Sequence, residues 1–426
     1  MIMPSLKCYL VGGAVRDQLL GLEIKDRDWV VVGSTPNELK QQGFKQVGRD
    51  FPVFLHPVSG EEYALARMER KNGHGYGGFY CDFSPEITLE QDLARRDLTI
   101  NAMALDSQGQ LQDPYLGRRD LEQRLLRHVS PAFAEDPLRV LRVARFAARF
   151  ATLGFHIAEE TLELMQKMVQ SGELTYLTPE RVWLETEKAL KGENPQIYFQ
   201  VLNQIGALSV LFPPLFALFE KTNPEQPLEK NVGTHSLLVL EQAAKLTSGL
   251  DPQQRSMICF AALCHHFCKR IGEKNNFSHH YTDEMLGIKA IKQLCQQLKV
   301  AKAYQQFALL AAEFYRYFQC AFELKAQTVV ELFDQLDLWR KPQRLFQLSL
   351  VAMAEFQSRS ESEVKDYPNV EYLSKLFDIA QTVKVQDIIA AGFQQHAIRE
   401  ELFRRRVQLV KQYMDHLTPI LKKRLK

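Results

Sequence analysis

The chain has 426 residues, of which 46% are apolar and 24% charged, and its formal net charge is +2. These values are typical of a globular protein of two to four domains and exclude one that binds nucleic acid through overall basic charge. No run reaches the roughly 18 apolar residues of a membrane span, and residues 1–7 lack a signal peptide's apolar region, so we expect a cytoplasmic protein. The seven cysteines are scattered and odd in number, which favours reduced thiols over a disulfide framework.

The first 115 residues alternate short β-rich runs with short helical runs. Strands are predicted at Lys7–Val11, Trp29–Val32, Val53–Leu55, Glu62–Ala66 and Ala102–Leu105. Helices are predicted at Ala14–Leu20, Pro36–Gln42 and Leu89–Ala94. The glycine-rich segment 67–83 predicts a mobile loop between the fourth and fifth strands.

From Asp113 to the C-terminus the patterns are helical, with no convincing strand. Proline-containing breaks near Thr178, Pro213, Pro224 and Pro368 divide this part into helical bundles. We therefore expect an α+β fold, in which a small mixed β-sheet at the N-terminus is followed by helical regions.

The first thirty residues contain two features that suit the same kind of ligand. Gly12 and Gly13 follow the first strand and open the first helix, an arrangement that suits phosphate. Asp26 and Asp28 are two residues apart at the start of the second apolar run, so they share a strand face and repel unless a cation joins them. Together these features predict a Mg²⁺–nucleotide site with Asp26 and Asp28 as catalytic metal ligands.

Two residues near this site leave alternatives open. Arg16 lies in the first helical turn, where it either grips a triphosphate or is a solvated helix charge. Glu62, on a neighbouring predicted strand, either completes the metal site or is an ordinary surface residue.

A stripe of arginines runs along the predicted helix after Asp136. Arg139, Arg142 and Arg145 recur every three residues, and Arg149 follows at i+4, while the residues between them are apolar. A solvated helix face would mix lysine, glutamate and glutamine, so this pattern predicts a helix that lines a cleft. The alternative is a set of salt bridges between domains.

Asp136 and Arg139 have complementary hydrogen-bonding groups. A carboxylate only accepts and a guanidinium only donates. Cytosine and adenine each present an amino donor beside a ring-nitrogen acceptor, whereas guanine and uracil present a carbonyl beside an N–H donor. The pair therefore suits C and A and opposes G and U, because a wrong base leaves polar groups unpaired.

Three motifs carry a family resemblance. Residues 12–17 (GGAVRD) with Asp26 and Asp28 resemble the nucleotidyltransferase head of the DNA polymerase beta superfamily. More specifically the chain resembles the class II CCA-adding enzymes, the tRNA nucleotidyltransferases, which share this head with bacterial poly(A) polymerases. Residues 95–102 (RRDLTINA) and 135–146 (EDPLRVLRVARF) match two further motifs of that family. The resemblance is specific over residues 1–220 and weaker beyond.

The resemblance implies a function and several residue roles. The expected reaction adds CCA to the 3′ end of tRNA from CTP and ATP, with Mg²⁺, and releases pyrophosphate. Gly13 and Arg96 would bind the nucleotide, and Asp97 would shape the link to the next domain, although Arg95 and Asp97 alternatively only hold a turn. Asp136 and Arg139 would act as a protein template, with Arg142 and Arg145 nearby. The segment 67–83 is either a lid for nucleotide switching or a surface hairpin.

The resemblance also implies a domain order. We expect a nucleotidyltransferase head at 1–115 and a helical neck at 116–225 that reads the base and binds RNA. A degenerate HD-like domain is expected at 226–335 and a tail that contacts tRNA at 336–426. The acceptor stem and TΨC arm are the expected tRNA contacts, and the basic runs 404–406 and 422–424 either meet the RNA backbone or are solvated faces.

The third quarter of the chain is rich in histidine. Some bacterial CCA-adding enzymes carry a metal-dependent HD phosphohydrolase domain here, with His-Asp where this chain has His265 and His266. The replacement removes a hard oxygen ligand, and histidines favour Zn²⁺, Cu²⁺ or Ni²⁺ over Mg²⁺. Three interpretations stay open, namely a decayed domain kept for packing and tRNA contact, an active phosphohydrolase, and a structural zinc site that includes Cys264 and Cys268. The other histidines concerned are His235, His279 and His280.

Three rival functions remain beside CCA addition. They are a poly(A) polymerase with the same head, a phosphohydrolase that works from the helical half, and a tRNA-binding protein without catalysis. The substitution at His266 argues against the second. The presence of Asp26, Asp28 and Arg96 argues against the third, because binding does not need a metal pair.

Overall fold

The computed structural model describes residues 6–47, 53–71, 79–220, 231–268, 280–359 and 367–424. The chain divides into two compact units, Met1–Pro213 and Pro214–Lys426. The first unit combines a sheet with helices, and the described residues of the second are helical, which confirms the α+β class. The finer division into four regions stays a prediction. No helix in these ranges is long and apolar enough to cross a membrane.

The described part of the first unit contains a mixed sheet of seven short strands in the order β3-β4-β5-β2-β1-β8-β9. Its strands are β1 (Lys7–Val11), β2 (Asp28–Val32), β3 (Lys45–Val47), β4 (Val53–Leu55), β5 (Glu62–Leu65), β8 (Ala104–Leu105) and β9 (Leu111–Gln112). Strands β2 and β5 are parallel, and the other neighbours are antiparallel. The five expected strands are therefore present, and only three of their ten ends differ from the prediction, each by one or two residues.

Both faces of the sheet are apolar because consecutive valines of β2 point in opposite directions. Val30 packs with Val11 and Ala66 on one face. Val31 packs with Phe54 on the other. A sheet that is buried on both faces is a rigid base for the residues at its strand ends.

The register of the two central strands brings the glycine turn and the aspartates to one edge of the sheet. Strand β1 ends at Val11, which is the antiparallel register partner of Asp28. Gly12 follows with φ of +69°, a conformation that L side chains rarely adopt. Helix α1 (Gly13–Leu19) begins directly after it. The chain reversal therefore places backbone N–H groups of a helix start beside Asp28.

The other helices of the first unit are short except in its second half. They are α2 (Pro36–Gln41), α3 (Leu89–Ala94), α4 (Gly117–Glu122), α5 (Leu138–Phe150), α6 (Glu159–Gln170), α7 (Pro179–Leu190), α8 (Pro195–Gln204) and α9 (Ala207–Leu211). Helix α5 packs against α7 and α8. Its apolar residues Val140, Leu141 and Val143 are fully buried, so the arginine stripe occupies the remaining face.

Two strand pairs lie outside the five predicted strands, and the first of them matches the hairpin alternative for segment 67–83 in its described residues. Strands β6 (Met68–Lys71) and β7 (Phe79–Asp82) pair antiparallel, so the ends of the glycine-rich segment form a hairpin, while residues 72–78 lie outside the described residues. Strands β10 (Leu125–Leu126) and β11 (His156–Ile157) pair parallel, contrary to the expectation of no strand after Asp113. Segments of two residues show no periodicity that a sequence pattern could reveal.

The second unit is built from helices in its described residues. They are α10 (Pro213–Phe219), α11 (Val232–Leu246), α12 (Pro252–Cys264), α13 (His280–Gln297), α14 (Lys302–Gln319), α15 (Ala326–Gln335), α16 (Gln343–Arg359), α17 (Pro368–Gln381), α18 (Val385–Ala390) and α19 (His396–Arg424). Helix α11 packs against α12 and α16, and α15 and α17 pack against α19.

Candidate nucleotide-binding and catalytic site

A cavity of about 750 Å³ in the first unit collects the residues that the sequence singled out. Its volume is in the range of small-molecule sites. Every predicted site residue lines it, namely Gly13, Arg16, Asp26, Asp28, Arg96, Asp136, Arg139, Arg142 and Arg145. Residues that are up to 132 positions apart in the chain thus form one surface, as the motifs require.

Asp26 and Asp28 lie at the wall of this cavity. Strand β2 begins at Asp28, so Asp26 precedes the strand instead of sharing its face. The two carboxylates nevertheless interact. Burial raises the pKa of Asp28, the charge of Arg96 opposes this rise, and the charge of Asp26 adds to it. Two hard oxygen donors that repel each other fit a divalent cation.

The two glycines each lie against a guanidinium. A Cβ on Gly12 would lie 2.8 Å from Nη1 of Arg96, and a Cβ on Gly13 would lie 3.4 Å from Nη2 of Arg16. The absence of side chains thus lets both arginines approach the helix start. The buried Nε of Arg96 has no hydrogen-bond partner in the described residues. A donor left in this state, next to the start of helix α1, favours an anionic ligand.

Arg16 is buried and held from several sides, not solvated. Its Nε donates to Oδ1 of Asp17 at 2.8 Å and its Nη1 donates to Oδ1 of Asn101 at 2.5 Å. The guanidinium carbon lies 5.2 Å and 5.0 Å from the ring centroids of Phe146 and Phe150. Aromatic faces attract a guanidinium and fix its plane. The structure therefore excludes the alternative of a solvated helix charge for Arg16.

The arginine stripe of α5 is paired with carboxylates and carbonyls. Arg142 binds Asp97, Arg145 binds Glu185, and each arginine also lines the cavity. Burial on its own would raise the pKa of Asp97, but Arg142 and Asn101 outweigh this effect and hold that pKa far below its usual value. The cleft interpretation and the salt-bridge alternative thus describe the same helix, because the stripe faces the cavity and also binds Asp97 of the head and Glu185 of α7.

Asp136 and Arg139 both line the cavity with their side chains already oriented. Oδ1 of Asp136 accepts the Leu138 N–H at 3.0 Å, and Oδ2 accepts from Nη2 of Arg181 at 2.9 Å. Each carboxylate oxygen has two lone pairs, so further acceptor capacity remains. Arg139 donates from Nη1 to the Ala132 carbonyl at 2.6 Å and from Nη2 to the Arg95 carbonyl at 2.5 Å.

The cavity contains residues that the sequence did not single out as ligands. They include Arg67, Asn101, Phe146, Arg181 and Lys188. Lys188 contacts Glu185 at 3.5 Å on the same helix, α7. No local signal could identify Arg181 and Lys188, since α7 carries a mixture of charges that is also typical of a solvated helix.

Glu62 does not belong to the cavity lining in the described residues, although it is the register partner of Asp28. Its side chain is exposed. The carboxylates of Asp26, Asp28 and Glu62 also do not form a cluster within metal-ligand distance in the part of the chain that the structure describes. The geometry favours the alternative of a surface residue.

Comparisons with known proteins agree with this site. The family described as "Poly A polymerase head domain" matches residues 8–127, and "Probable RNA and SrmB- binding site of polymerase A" matches residues 154–219. The "Multifunctional CCA protein" of Pasteurella multocida (strain Pm70) is 57% identical over 415 residues, which cover 97% of this chain and 99% of that protein. The chain belongs to the CCA-adding enzyme family. The protein of the same name from Haemophilus influenzae (strain PittGG) is 55% identical over 408 residues, 96% of this chain and 98% of that protein.

Solved structures of CCA-adding enzymes share the fold. The Thermotoga maritima CCA-adding enzyme complexed with tRNA_CCA has a TM-score of 0.64 at 21% identity, covering 98% of this chain and 92% of that one. A complex of a CCA-adding enzyme with CTP has a TM-score of 0.63 at 21% identity, covering 98% and 91%. The resemblance inferred from the three motifs is thus confirmed over nearly the whole chain.

In this member of the CCA-adding enzymes the histidines of the second unit surround Glu355. Nε2 of His235 lies 3.0 Å from Oε2 of Glu355, and those of His265 and His266 lie 3.2 Å from the same atom. All four side chains are at most 1% exposed. Nε of Arg359 donates to Oε1 of Glu355 at 2.9 Å. His279 and the side chain of His280 lie outside the described residues.

This His–Glu cluster, His235, His265, His266 and Glu355 with Arg359, fits a hydrolase poorly. Burial on its own would raise the pKa of Glu355, but the charge of His266 and the imidazole hydrogen bonds hold it well below its usual value. The ligand atoms of His235, His266 and Glu355 lie within 4.8 Å of one another, and imidazoles suit Zn²⁺ or Ni²⁺. However, Glu355 is already neutralised by Arg359, and its burial leaves no surface for a phosphate ester. The geometry favours the packing interpretation.

The remaining sequence predictions for this unit concern a thiol and a basic run. Cys264 is buried, and the side chain of Cys268 lies outside the described residues. Arg404 and Arg405 both bind Glu401 at 2.7 Å, and Arg406 lies 3.5 Å above the Trp339 ring. The run 404–406 is therefore at least partly engaged within its own unit, and the side chains of 422–424 lie outside the described residues.

Proposed function

We propose that this chain adds C, C and A to the 3′ end of tRNA without a nucleic-acid template, consuming CTP and ATP and releasing pyrophosphate. The observation that carries the proposal is the single cavity that joins Asp26 and Asp28 to Asp136 and Arg139. One pair suits a metal and the other suits the edges of C and A. Near-full-length similarity to named CCA proteins supports the same conclusion.

Asp26 and Asp28 would hold Mg²⁺ during the reaction. Membership of this family implies a divalent metal, and the choice of Mg²⁺ rests on the two hard carboxylate oxygens at the cavity wall. When bound, such an ion lowers the pKa of the attacking 3′-hydroxyl and stabilises the charge on the leaving oxygens. The two carboxylates orient this chemistry at the edge of the rigid sheet.

The triphosphate would lie over the glycine turn. Gly13 exposes the N-terminus of α1, and Arg16 and Arg96 flank it with their guanidinium groups. Among the described residues that line the cavity, nine arginines and one lysine face four aspartates. This excess of positive charge suits a nucleoside triphosphate and the phosphates of an RNA end.

Asp136 and Arg139 would read the base. Asp136 would accept the exocyclic amino group, and Arg139 would donate to the ring nitrogen beside it. Arg181 and the carbonyls of Ala132 and Arg95 fix the direction of these two side chains. Arg142 and Arg145 would support the nucleotide from the same helix face. The change from C to A during synthesis is a property of the family.

The partner would be tRNA, bound through its acceptor stem and TΨC arm. The Thermotoga maritima relative is known in complex with tRNA_CCA, which supports this proposal. The hairpin β6–β7 beside the cavity residue Arg67 keeps the lid hypothesis open. The cytoplasmic location and the tRNA contacts of the tail stay predictions.

The test uses purified chain and tRNA transcripts that end before CCA, after C and after CC. With CTP only, we expect the first two transcripts to gain C until they end in CC. With ATP only, we expect addition of one A to the third transcript and none to the first. A poly(A) polymerase would instead extend the transcripts with ATP and fail to add C, which would overturn the proposal.

A further inference from the structure

Six side chains of the first unit form a continuous series of hydrogen bonds, here called the circuit. The first and the last of these side chains both lie on helix α5. This circuit consists of Arg142, Asp97, Asn101, Arg16, Asp17 and Arg149. Its three guanidinium groups and two carboxylates leave one formal positive charge. Because the members come from α5, α1 and the turn after α3, the circuit connects the head to the helix that carries Asp136 and Arg139 at its start.

One half of the circuit runs from Arg142 to Arg16. Nε of Arg142 donates to Oδ2 of Asp97 at 2.7 Å, and Nδ2 of Asn101 donates to Oδ1 of the same aspartate at 2.9 Å. Oδ1 of Asn101 then accepts from Nη1 of Arg16 at 2.5 Å. Asn101 is 5% exposed, so water cannot replace these contacts easily.

The other half returns from Arg16 to α5. Asp17 accepts from Nε of Arg16 with Oδ1 at 2.8 Å and from Nη2 of Arg149 with Oδ2 at 2.9 Å. Arg16 also lies over Phe146 and Phe150, which belong to α5 as well. The guanidinium of Arg16 is therefore fixed along its edges and in its plane.

Asn101 is the neutral member of the circuit, and its chemistry explains why an amide is needed. One neighbour is a guanidinium that only donates, and the other is a carboxylate that only accepts. An amide satisfies both in a single orientation. Aspartate at this position would accept from Arg16 but repel Asp97, and an aliphatic side chain would leave both neighbours short of one hydrogen bond.

We propose that Asn101 is a positioning residue that holds Arg16 in the orientation in which it binds the triphosphate, and so links triphosphate binding to helix α5. The inference rests on the proposed role of Arg16. Asn101 donates and accepts only within the circuit in the described contacts, and Asp136 and Arg139 bind other partners. Its loss therefore weakens CTP and ATP alike and leaves the choice of base unchanged.

The experiment compares Asn101→Leu with the wild-type chain on tRNA ending in C and in CC. We expect KM for CTP and KM for ATP to rise by the same factor, about tenfold, because a hydrogen bond to a charged group is lost. The inhibition constant of pyrophosphate should rise in parallel. The KM for tRNA and the CTP-to-UTP preference should stay unchanged. A merely structural role would not move the pyrophosphate constant separately from the tRNA KM.

Two controls separate failure of the inference from failure of the proposed function. If Arg16→Lys leaves the pyrophosphate constant and both nucleotide KM values unchanged, the proposed role of Arg16 is wrong. If Arg16→Lys raises them but Asn101→Leu does not, or if Asn101→Leu affects CTP and ATP unequally, the inference about Asn101 is overturned. Should Asn101→Leu fail to fold, as judged by circular dichroism, the isosteric Asn101→Asp is measured against the same criteria.

Discussion

The two units of this CCA-adding enzyme each gather charged side chains, but they treat the charge differently. In the first unit the arginines of α5 bind carboxylates and still face a cavity, where positive groups outnumber negative ones. In the second unit Glu355 is enclosed by three imidazoles and Arg359, with at most 1% exposure for the carboxylate and the histidines. The comparison teaches that an incompletely neutralised cluster beside a cavity indicates ligand binding, whereas a saturated buried cluster indicates a role in stability.

The strongest test of the proposed metal site in the cavity is the substitution Asp28→Asn. Loss of one charged metal ligand should lower kcat by about 10³-fold, or about 4 kcal/mol in activation free energy, with little effect on the melting temperature. The measurement is incorporation of labelled CTP into tRNA lacking CCA. Glu62→Gln is the matched control, because Glu62 is the register partner of Asp28 but lies outside the cavity lining. Equal losses in both variants would contradict this placement of the metal site.

The substitution Glu355→Gln tests whether the buried His–Glu cluster of the second unit serves stability. Removing the carboxylate leaves Arg359 and the imidazoles without their counter-ion, which should destabilise the second unit by about 3 kcal/mol near pH 7. CTP incorporation at a temperature below the transition should stay close to that of the wild type. Chemical denaturation followed by circular dichroism measures the first effect.

The sign of the pH dependence follows from the lowered pKa of Glu355. The folded state holds this carboxyl ionised more strongly than the unfolded state does, so its contribution is complete above the unfolded pKa of about 4.3 and is lost as the pH falls through the folded pKa. The stability difference between wild type and Glu355→Gln should therefore shrink in acid. Bound Ni²⁺ or Zn²⁺ in equilibrium dialysis, together with phosphatase activity that Glu355→Gln abolishes, would refute the packing interpretation.

A sharper test concerns the choice of base. Asp136→Asn replaces one acceptor oxygen with an amino donor, which can pair with the carbonyl of uracil. We expect the CTP-to-UTP ratio of kcat/KM to fall by about 10- to 100-fold, in line with about 1–3 kcal/mol per mispaired group. Single-turnover incorporation with each nucleotide measures the ratio.

Asp251→Asn provides the control for helix capping. Asp251 caps α12 in the second unit through the N–H groups of Gln253 and Gln254, as Asp136 binds the N–H of Leu138 at the start of α5. Its amide variant should leave the CTP-to-UTP ratio unchanged. A ratio that is also unchanged in Asp136→Asn would remove this residue from base recognition.

The smallest effect is expected at the glycine turn. Gly12→Ala combines a strained φ of +69° with a Cβ 2.8 Å from Nη1 of Arg96, whereas Gly21→Ala has a φ of +68° and no atom within 4 Å of its Cβ. Both variants should lose about 1–2 kcal/mol of stability from backbone strain. Only Gly12→Ala should also raise KM for both nucleotides, which steady-state kinetics can measure. Equal KM values in the two variants would show that Arg96 is not displaced.

The sequence revealed those parts of the site that consist of residues close together in the chain. The turn at Gly12, the pair Asp26 and Asp28, and the stripe on α5 are short motifs with a physical reason for their spacing. Partners that come from distant segments have no such signal, which is why Glu185 and Arg181 of α7 were not identified. The strand pair β10–β11 was missed for the related reason that two residues show no alternation.

The sequence patterns also did not reveal which charged side chains are buried. Arg16 was expected either to bind a ligand or to be solvated. Its guanidinium instead lies over the rings of Phe146 and Phe150, a contact that depends on how α5 packs against the head. The substitution at His266 indicated a departure from a hydrolase site, which stays a prediction. It did not reveal Glu355, which lies 89 residues later in the chain and becomes a neighbour only through the packing of α12, which His266 follows, against α16.

The ion pair between Asp17 and Arg149 joins residues that are 132 positions apart. At synthesis rates of about 5–20 residues per second, Arg149 is made roughly 7–26 s after Asp17. During that interval Arg16 does not yet contact the rings of Phe146 and Phe150. Asp17 still lacks Arg149, its second cationic partner. The nucleotide site is therefore completed only after α5, which ends about a third of the way along the chain, and a fragment that ends before residue 138 should fold its sheet yet bind CTP poorly.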